Sequence, residues 1–241
     1  MDRSAWPLSP RLAALADVIE SGSRVADVGS DHGLLALWLA ASGRASYCLA
    51  TEETEALLRR VRRPPADAPW ARRIAFRSGD GLAAVLPGDR IDTVVLAGLG
   101  GSKIVRLVTA AGPFGSLPSR LVLQPRSEAD RTRRWLSENG WRLISERITL
   151  LRSRFHLTLA AERGDDADLY RDSTLSREDL LVAGPLLARR PAPDVAAYWR
   201  MECLRFATIL AHADAGPSVA RARAGLARAE RVVAAISRRA G

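Results

Sequence analysis

Cysteine is scarce in this sequence, and no long apolar run occurs in it. The two cysteines, Cys48 and Cys203, lie far apart and match no zinc or redox spacing, so they support neither a disulfide framework nor a metal site. No segment approaches the roughly 18 consecutive apolar residues of a transmembrane helix, and residues 1–7 lack the apolar core of a secretory signal. We therefore expect a soluble cytoplasmic protein that binds neither a metal nor a membrane.

Lysine is almost absent as well. Lys103 is the only lysine, so the net charge of +9 comes from arginine. A GC-rich coding sequence would produce this bias without any function. Alternatively, the arginines provide a positive surface for a nucleic acid, because guanidinium groups match the geometry of phosphates. Composition alone leaves both explanations open.

Short apolar runs alternate with helical patterns from residue 24 to residue 139. This alternation predicts βαβ units and a parallel sheet covered on both faces. A helix is predicted before them, with Ser9 as its N-cap, Pro10 in its first turn and Gly22 at its end. The predicted strands are 24–28, 45–50, 72–77, 91–96 and 119–124, and the predicted helices are 33–42, 52–62, 102–111 and 127–139.

Two extended runs follow, at 141–150 and 155–162, joined by an arginine-rich turn with no helix between them. They predict an antiparallel pair of strands. A parallel sheet that ends in such a hairpin is typical of class I methyltransferases, whereas a dinucleotide-binding dehydrogenase would continue with another βαβ crossover. The sequence therefore predicts an α/β, Rossmann-like fold with a mostly parallel, seven-stranded sheet and a C-terminal antiparallel hairpin.

A polar loop at 164–168 marks the predicted domain boundary. After it the pattern is helical only, with a short element near 176–189, a break at Pro191, and helices at about 194–212 and 218–239. We expect residues 1–164 to form a cofactor-binding Rossmann-like domain. Residues 165–241 are expected to form a helical, coiled-coil-like domain.

The segment from Gly29 to Gly33 lies where the first strand turns into a helix, the place where a nucleotide-type cofactor meets backbone amides. A dinucleotide fingerprint would have a second glycine two residues after Gly29, but Asp31 stands there and would repel a pyrophosphate. S-adenosylmethionine has no phosphate, and its sulfonium and ammonium cations would gain from Asp27 and Asp31. Asp31 could instead only cap the helix, and both roles can hold together.

Two further loops carry acidic residues after predicted strands. Glu52 follows the second strand and is suited to accept both ribose hydroxyls, although acidic residues are also common at the start of a helix. Asp80 follows the third strand, between Gly79 and Gly81, where it could accept from the adenine amine or belong to a plain turn. All these loops lie at the carboxyl ends of strands, where open α/β sheets bind ligands.

The Ala97-Gly98-Leu99-Gly100-Gly101 segment ends the fourth strand. It leaves a surface poor in side chains, with room for a planar base to approach a methyl group. A turn into a helix capped by Ser102 would explain one or two of these glycines, but not all three.

In order and spacing, nine blocks of the chain resemble the bacterial tRNA (adenine-22-N1)-methyltransferase family. They are residues 8–12, 25–32, 50–52, 79–82, 97–101, 123–125, 135–136, 184–187 and 198–202. The resemblance covers nearly the whole chain and implies an S-adenosylmethionine cofactor, a tRNA substrate and a coiled-coil-like appendage that contacts tRNA. The chain departs from the family pattern at Leu99, Arg126 and Phe155-His156, where methionine, asparagine and a Tyr-Glu pair are usual.

Adenine N1 is neutral at pH 7 and can be methylated without prior loss of a proton, so no strong general base is required. Asp31 is the predicted catalytic residue, through positioning and electrostatic stabilisation, with His32 as the second candidate. His32 could equally be a structural residue at the start of a helix. The predicted cofactor-binding residues are Asp27, Gly29, Ser30, Asp31, Glu52, Gly79, Asp80, Gly81, Ala97 and Gly98. The predicted substrate-binding residues are Gly100, Gly101, Gln124 and Arg126.

Two other functions stay open at this point. One is methylation of another RNA or DNA base, since the basic C-terminal helices argue mildly against a small molecule. The other is a non-catalytic RNA-binding module with a vestigial cofactor fold. The acidic residues Asp27, Glu52 and Asp80 argue against the latter, because a module that no longer bound a cofactor would not need them.

Overall fold

The computed structural model describes residues 7–111, 118–172, 174–189, 192–212 and 216–240. Residues 1–6 and the predicted break at Pro191 lie outside the described residues. The chain divides into two compact units, Met1–Gly164 and Asp165–Gly241.

The strands described in the first unit form one seven-stranded sheet. They are β1 (Ser23–Val28), β2 (Ala45–Glu52), β3 (Ile74–Ser78), β4 (Thr93–Leu99), β5 (Arg120–Pro125), β6 (Trp141–Leu151) and β7 (Arg154–Arg163). Their order in the sheet is β3-β2-β1-β4-β5-β7-β6. The first five strands pair in parallel, whereas β7 is antiparallel to both β5 and β6. The predicted mostly parallel sheet with an antiparallel hairpin is confirmed.

Five α-helices accompany this sheet among the residues that the structure describes. They are α1 (Pro10–Asp17), α2 (Leu34–Ser42), α3 (Glu55–Leu58), α4 (Gly101–Ala111) and α5 (Ala129–Glu138). Leucine and alanine side chains of α1 and α2 are buried against valines of the central strands, including Val25, Val95 and Val122. This apolar packing fixes the central strands from which the site loops extend.

The order of the strands places a crevice at one edge of the sheet. The chain runs from β1 to β2 and β3 on one side, then returns to β4 and β5 on the other side of β1. The loops that follow β1 and β4 therefore leave in opposite directions. Ligands of open α/β sheets bind in the crevice at such a point.

Two predicted helix boundaries are wrong. The first helix ends at Asp17 and not at Gly22. Just after Asp17, the side chain of Arg120 donates to the carbonyl of Val18, and that of Arg44 donates to the carbonyl of Ile19. The predicted helix 52–62 is reduced to α3, because β2 continues to Glu52 in register with Ser78 of β3.

The second unit contains α6 (Arg177–Ala183), α7 (Pro185–Arg189), α8 (Pro193–His212) and α9 (Pro217–Ala240). Ser176 and Asp179 form a capping box at the start of α6, and Asp179 also accepts from Arg231 of α9 over 2.7 Å. Gly225 of α9 faces Phe206 of α8 so closely that a Cβ atom would lie 2.5 Å from the ring. Across the residues that the structure describes, no helix has the length and apolarity needed to cross a membrane.

Candidate active site

The loop after β1 is a tight turn fixed to the neighbouring strand. Gly29, Asp31 and Gly33 all have positive φ, at 73°, 55° and 71°. The backbone N–H groups of Gly29 and Ser30 donate to the carbonyl of Thr51 in β2, over 2.9 and 3.1 Å. A Cβ atom on Gly29 would have nothing within 4 Å. The loop is therefore anchored on one side and open on the other.

Glu52, the last residue of β2, joins this loop to the next strand. The residue is 8% exposed, and its Oε1 accepts from the backbone N–H of Asp31 over 2.5 Å. Its own carbonyl accepts from the backbone N–H of Gly79 after β3, over 2.8 Å. Burial raises the pKa of the Glu52 carboxyl. The predicted placement of these loops at the carboxyl ends of neighbouring strands agrees with this geometry.

Asp31 points its carboxylate outward from the turn. The side chain is 79% exposed, and its Oδ1 lies 3.9 Å from Nε2 of His32. The N-cap of α2 is Gly33, without a side-chain hydrogen bond, so Asp31 does not cap that helix. A left-handed conformation is uncommon outside glycine and stores backbone strain. The turn thus holds an exposed carboxylate at the crevice in a strained conformation that capping does not explain.

Asp27, in β1 beneath the loop, is a buried carboxyl with a raised pKa. It is 4% exposed. Burial is the largest cause, and with the nearby charge of Glu52 it raises the pKa of Asp27 to about 7. The charge of Arg11 and a hydrogen bond from the backbone N–H of Ala36 act in the opposite direction. A cation bound beside Asp27 would favour its ionised form.

This pKa predicts a pH-dependent stability. The folded protein keeps the Asp27 proton up to about pH 7, whereas the unfolded chain loses it near the ordinary value of 3.8. The contribution of Asp27 is therefore most favourable below that value, and it declines as the pH rises towards 7 by up to about 1.4 kcal/mol per pH unit. Urea unfolding without cofactor should show a smaller decline for Asp27→Asn than for the wild type. If the difference in unfolding free energy between the two proteins did not vary between pH 4 and 8, this prediction would be contradicted.

The loop after β3 contains two glycines that packing explains. A Cβ atom on Gly79 would lie 3.0 Å from Cβ of Ala84, and one on Gly81 would lie 2.4 Å from a methyl carbon of Leu107. Asp80 between them is exposed, and its side chain does not cap the turn that follows. The two glycines are therefore required by the packing of the turn. The exposed carboxylate of Asp80 is the polar group of this loop that can bind a ligand.

The glycines after β4 divide into two kinds. Gly98 has a φ of 73° and would meet nothing within 4 Å if it carried a Cβ atom, so it borders open space. Gly100 is partly exposed, next to Oγ of Ser127. Gly101 is buried, and a Cβ atom there would lie 2.2 Å from the carbonyl oxygen of Glu128. Packing therefore accounts for the glycine at position 101, and its contact with substrate stays a prediction.

Gln124, near the end of β5, is hydrogen-bonded within the protein. It is 2% exposed. Its Oε1 accepts from Nη1 of Arg11 over 2.8 Å, and its Nε2 donates to Oγ1 of Thr158 over 3.1 Å and to the carbonyl of Arg11 over 3.3 Å. These bonds give Gln124 a structural role, and its contact with substrate stays a prediction. Arg126 is exposed, and its backbone N–H donates to the carbonyl of Leu99 over 2.8 Å.

Sequence reasoning missed the environment of His156. Leu123 of β5 pairs with Leu159 of β7, so His156 lies beyond the end of β5, on the same edge as the site loops. Burial, and then the charges of three arginines, lower the pKa of His156; these are Arg11, Arg154 and Arg126. Among these four residues, only Arg126 is a predicted site residue. Arg154 and His156 are neighbours in β7, but Arg11 and Arg126 are distant from them in sequence, so no local pattern connects the four.

These residues fit S-adenosylmethionine. Asp27 and Glu52 offer carboxylates to a cation and to ribose hydroxyls. Oγ of Ser30 is buried and has no hydrogen-bond partner among the described residues. The open sides of Gly29 and Gly98 leave room for a ligand. Within the described ranges, no group of three or more His, Cys, Asp or Glu side chains is arranged to hold a metal ion.

Comparisons with known proteins point to one family. The family described as "Methyltransferase domain" matches residues 8–159. The tRNA (adenine(22)-N(1))-methyltransferase of Bacillus subtilis is 31% identical over 195 residues, which are 81% of this chain and 81% of that protein. A putative tRNA methyltransferase of Mycoplasma pneumoniae is 26% identical over 181 residues, 73% of this chain and 79% of that one.

Solved structures agree with this result. The crystal structure of the B. subtilis M1A22 tRNA methyltransferase TrmK superposes with a TM-score of 0.81 at 28% identity, covering 96% of this chain and 99% of that one. The structure of a putative tRNA (m1A22) methyltransferase of Streptococcus pneumoniae, in complex with S-adenosyl-L-methionine, has a TM-score of 0.81 at 24% identity. The match covers 94% of this chain and 100% of that one. The second likeness shows the shared fold alone.

Proposed function

Because this chain belongs to the methyltransferase family that includes the tRNA (adenine(22)-N(1))-methyltransferase of B. subtilis, we propose that it transfers a methyl group from S-adenosylmethionine to N1 of adenine 22 in tRNA. The observation that carries this proposal is the hydrogen bond between the buried Glu52 carboxylate and the backbone of Asp31. It holds an acidic, phosphate-repelling loop at the crevice of the sheet. A tRNA substrate also supports a cytoplasmic location.

Residues 1–164 supply the cofactor site in this proposal. Glu52 accepts the ribose hydroxyls, Asp80 accepts from the adenine amine, and Asp27 lies under the cationic end of the cofactor. Ser30 contributes its unpartnered Oγ. The backbone of Gly29, Gly79, Gly81, Ala97 and Gly98 forms the surface against which the cofactor lies. The helical unit, residues 165–241, contacts tRNA.

When bound, S-adenosylmethionine supplies an electrophilic methyl group on a sulfonium. The protein's part is to position the base and to stabilise the charge that it acquires, because neutral N1 needs no general base. Asp31, exposed at the crevice, is the proposed stabilising group, and His32 is the second candidate. Gly98 and Gly100 leave space for the planar base, which must be unstacked from the RNA to reach the site. Arg126 is proposed to contact a phosphate or the base.

Calorimetric titration with S-adenosylmethionine tests the cofactor part of the proposal. We expect saturable binding with a one-to-one stoichiometry. An absence of binding at high micromolar concentrations would overturn every methyltransferase assignment and would favour a non-catalytic RNA-binding module. Titration of the same protein with bulk tRNA would then show whether such a module remains.

A further inference from the structure

We propose that Arg11 binds the α-carboxylate of the methionine part of S-adenosylmethionine, and that Gln124 orients Arg11 for this contact. The inference rests on the proposed function, since it assigns a further residue to the same cofactor. Neither Arg11 nor this role for Gln124 follows from the sequence pattern alone.

Gln124 fixes the Arg11 side chain in place. Arg11 lies in the first turn of α1 and is half-buried. The Gln124 amide bonds to both the side chain and the backbone of Arg11. It accepts from Nη1 of Arg11 and donates to the backbone carbonyl of Arg11. Thr158 accepts from the other N–H of the same amide and so sets its orientation. A guanidinium held in this way is prepared to bind a planar anion.

Arg11 has no acidic partner among the residues that the structure describes. Three arginines whose side chains are largely buried each form an ion pair with a carboxylate: Arg133 with Glu146, Arg77 with Asp89, and Arg120 with Glu20 and Glu162. The half-buried Arg11 also loses part of the hydration of its charge, and this loss has a cost that no ion pair offsets. Gln124 is neutral, and it accepts from only part of the guanidinium of Arg11, which has five N–H donors. A ligand carboxylate would accept from the remaining donors.

The position of Arg11 matches the amino-acid end of the cofactor. Gln124 is the penultimate residue of β5, and Asp27 lies near the end of β1, with β4 between these two strands. Arg11 is close enough to Asp27 to lower its pKa, yet the two form no ion pair within the described part of the chain. An amino acid carries an ammonium and a carboxylate on one carbon. A buried carboxyl and a guanidinium without an acidic partner, at the same edge of the sheet, present the opposite pair of charges.

A phosphodiester of the RNA is the other anion that could bind this guanidinium, because it has similar geometry. The half-burial of Arg11 and its proximity to Asp27 favour the cofactor carboxylate. The exposed Arg126 and Arg154 are better placed to meet a polyanion. The experiment below distinguishes the two anions.

Decarboxylated S-adenosylmethionine, which keeps the sulfonium and the ammonium, tests the contact directly. Calorimetry should show that Arg11→Gln weakens binding of S-adenosylmethionine by about 10- to 100-fold, and that of the decarboxylated compound by less than about threefold. Gln124→Ala should also weaken the binding of S-adenosylmethionine more than that of the decarboxylated compound, but its loss of affinity should be smaller than that of Arg11→Gln. Arg11→Lys keeps the positive charge but loses the planar guanidinium. Its affinity for S-adenosylmethionine should therefore lie between those of the wild type and Arg11→Gln. Arg72→Gln, an exposed arginine that precedes β3, should change neither affinity.

Equal losses for both compounds, or no loss for either, would overturn the proposal. So would a loss confined to tRNA affinity, which would assign Arg11 to the RNA backbone. If Arg11→Gln does not fold, Arg11→Lys gives the same comparison between the two compounds. Failure of the wild type to bind either compound would contradict the proposed function itself and is thereby distinguishable from failure of this inference.

Discussion

Replacing Asp31 with asparagine or alanine is expected to lower kcat about 100-fold, while the Kd for tRNA changes by less than about threefold. The carboxylate is exposed at the crevice and does not cap α2. Removing its charge therefore removes stabilisation of the cationic base in the transition state, with little effect on the binding of tRNA. Single-turnover methylation at saturating tRNA measures this rate.

Asparagine is the more informative of the two substitutions. It also tolerates the left-handed conformation that Asp31 adopts, so the turn and its bond to Glu52 should be retained. Glu53→Gln removes an exposed carboxylate just outside the loop and serves as the matched control. Equal losses in turnover and in tRNA affinity would count against the proposed role of Asp31 and would favour a purely structural one.

Replacing Glu52 with alanine is expected to weaken S-adenosylmethionine binding by at least about 100-fold, because two functions are lost together. The carboxylate is the acceptor for the backbone N–H of Asp31, and in the proposed function it also accepts the ribose hydroxyls. Glu52→Gln keeps an acceptor for that N–H but loses the charge, so its affinity should fall less. Calorimetry on both variants and on Glu53→Gln measures the three affinities.

Thermal unfolding of the Glu52 variants separates binding from folding. The carboxyl is buried and its pKa is raised, so its removal relieves a desolvation cost in the cofactor-free protein. We therefore expect Glu52→Gln to be at least as stable as the wild type without cofactor and to gain less stability when cofactor is added. Wild-type cofactor affinity in Glu52→Ala would contradict the assignment of the ribose site.

The fold was predictable because its signals are local. Short apolar runs bounded by glycines and polar loops set the five parallel strands, and the absence of a helix between the last two extended runs predicted the antiparallel hairpin. The error at α3 has a nonlocal cause. Glu52 pairs with Ser78 of the adjacent strand, which extends β2 into residues with an ordinary helical pattern.

The candidate site was predictable in part for the same reason. Asp31 and Asp80 occupy loops that directly follow strands, and Glu52 is the last residue of β2. The parallel sheet brings these residues to one edge. Sequence alone could not show that Gly101 is required by the backbone of Glu128. Nor could it show the contact of Arg11 with Gln124, which are 113 residues apart. Such contacts depend on tertiary packing and leave no periodic signal in the chain.

The most direct test is to incubate the protein with S-adenosylmethionine and a tRNA transcript, then to locate the methyl group by nuclease digestion and mass spectrometry. A matched transcript differs only by guanine in place of adenine at position 22, the position named for the B. subtilis relative. We predict 1-methyladenosine at position 22 of the first transcript and no methylation of the second. A methyl group on a uridine, on a guanosine or on another adenine, or equal methylation of both transcripts, would contradict the proposed function.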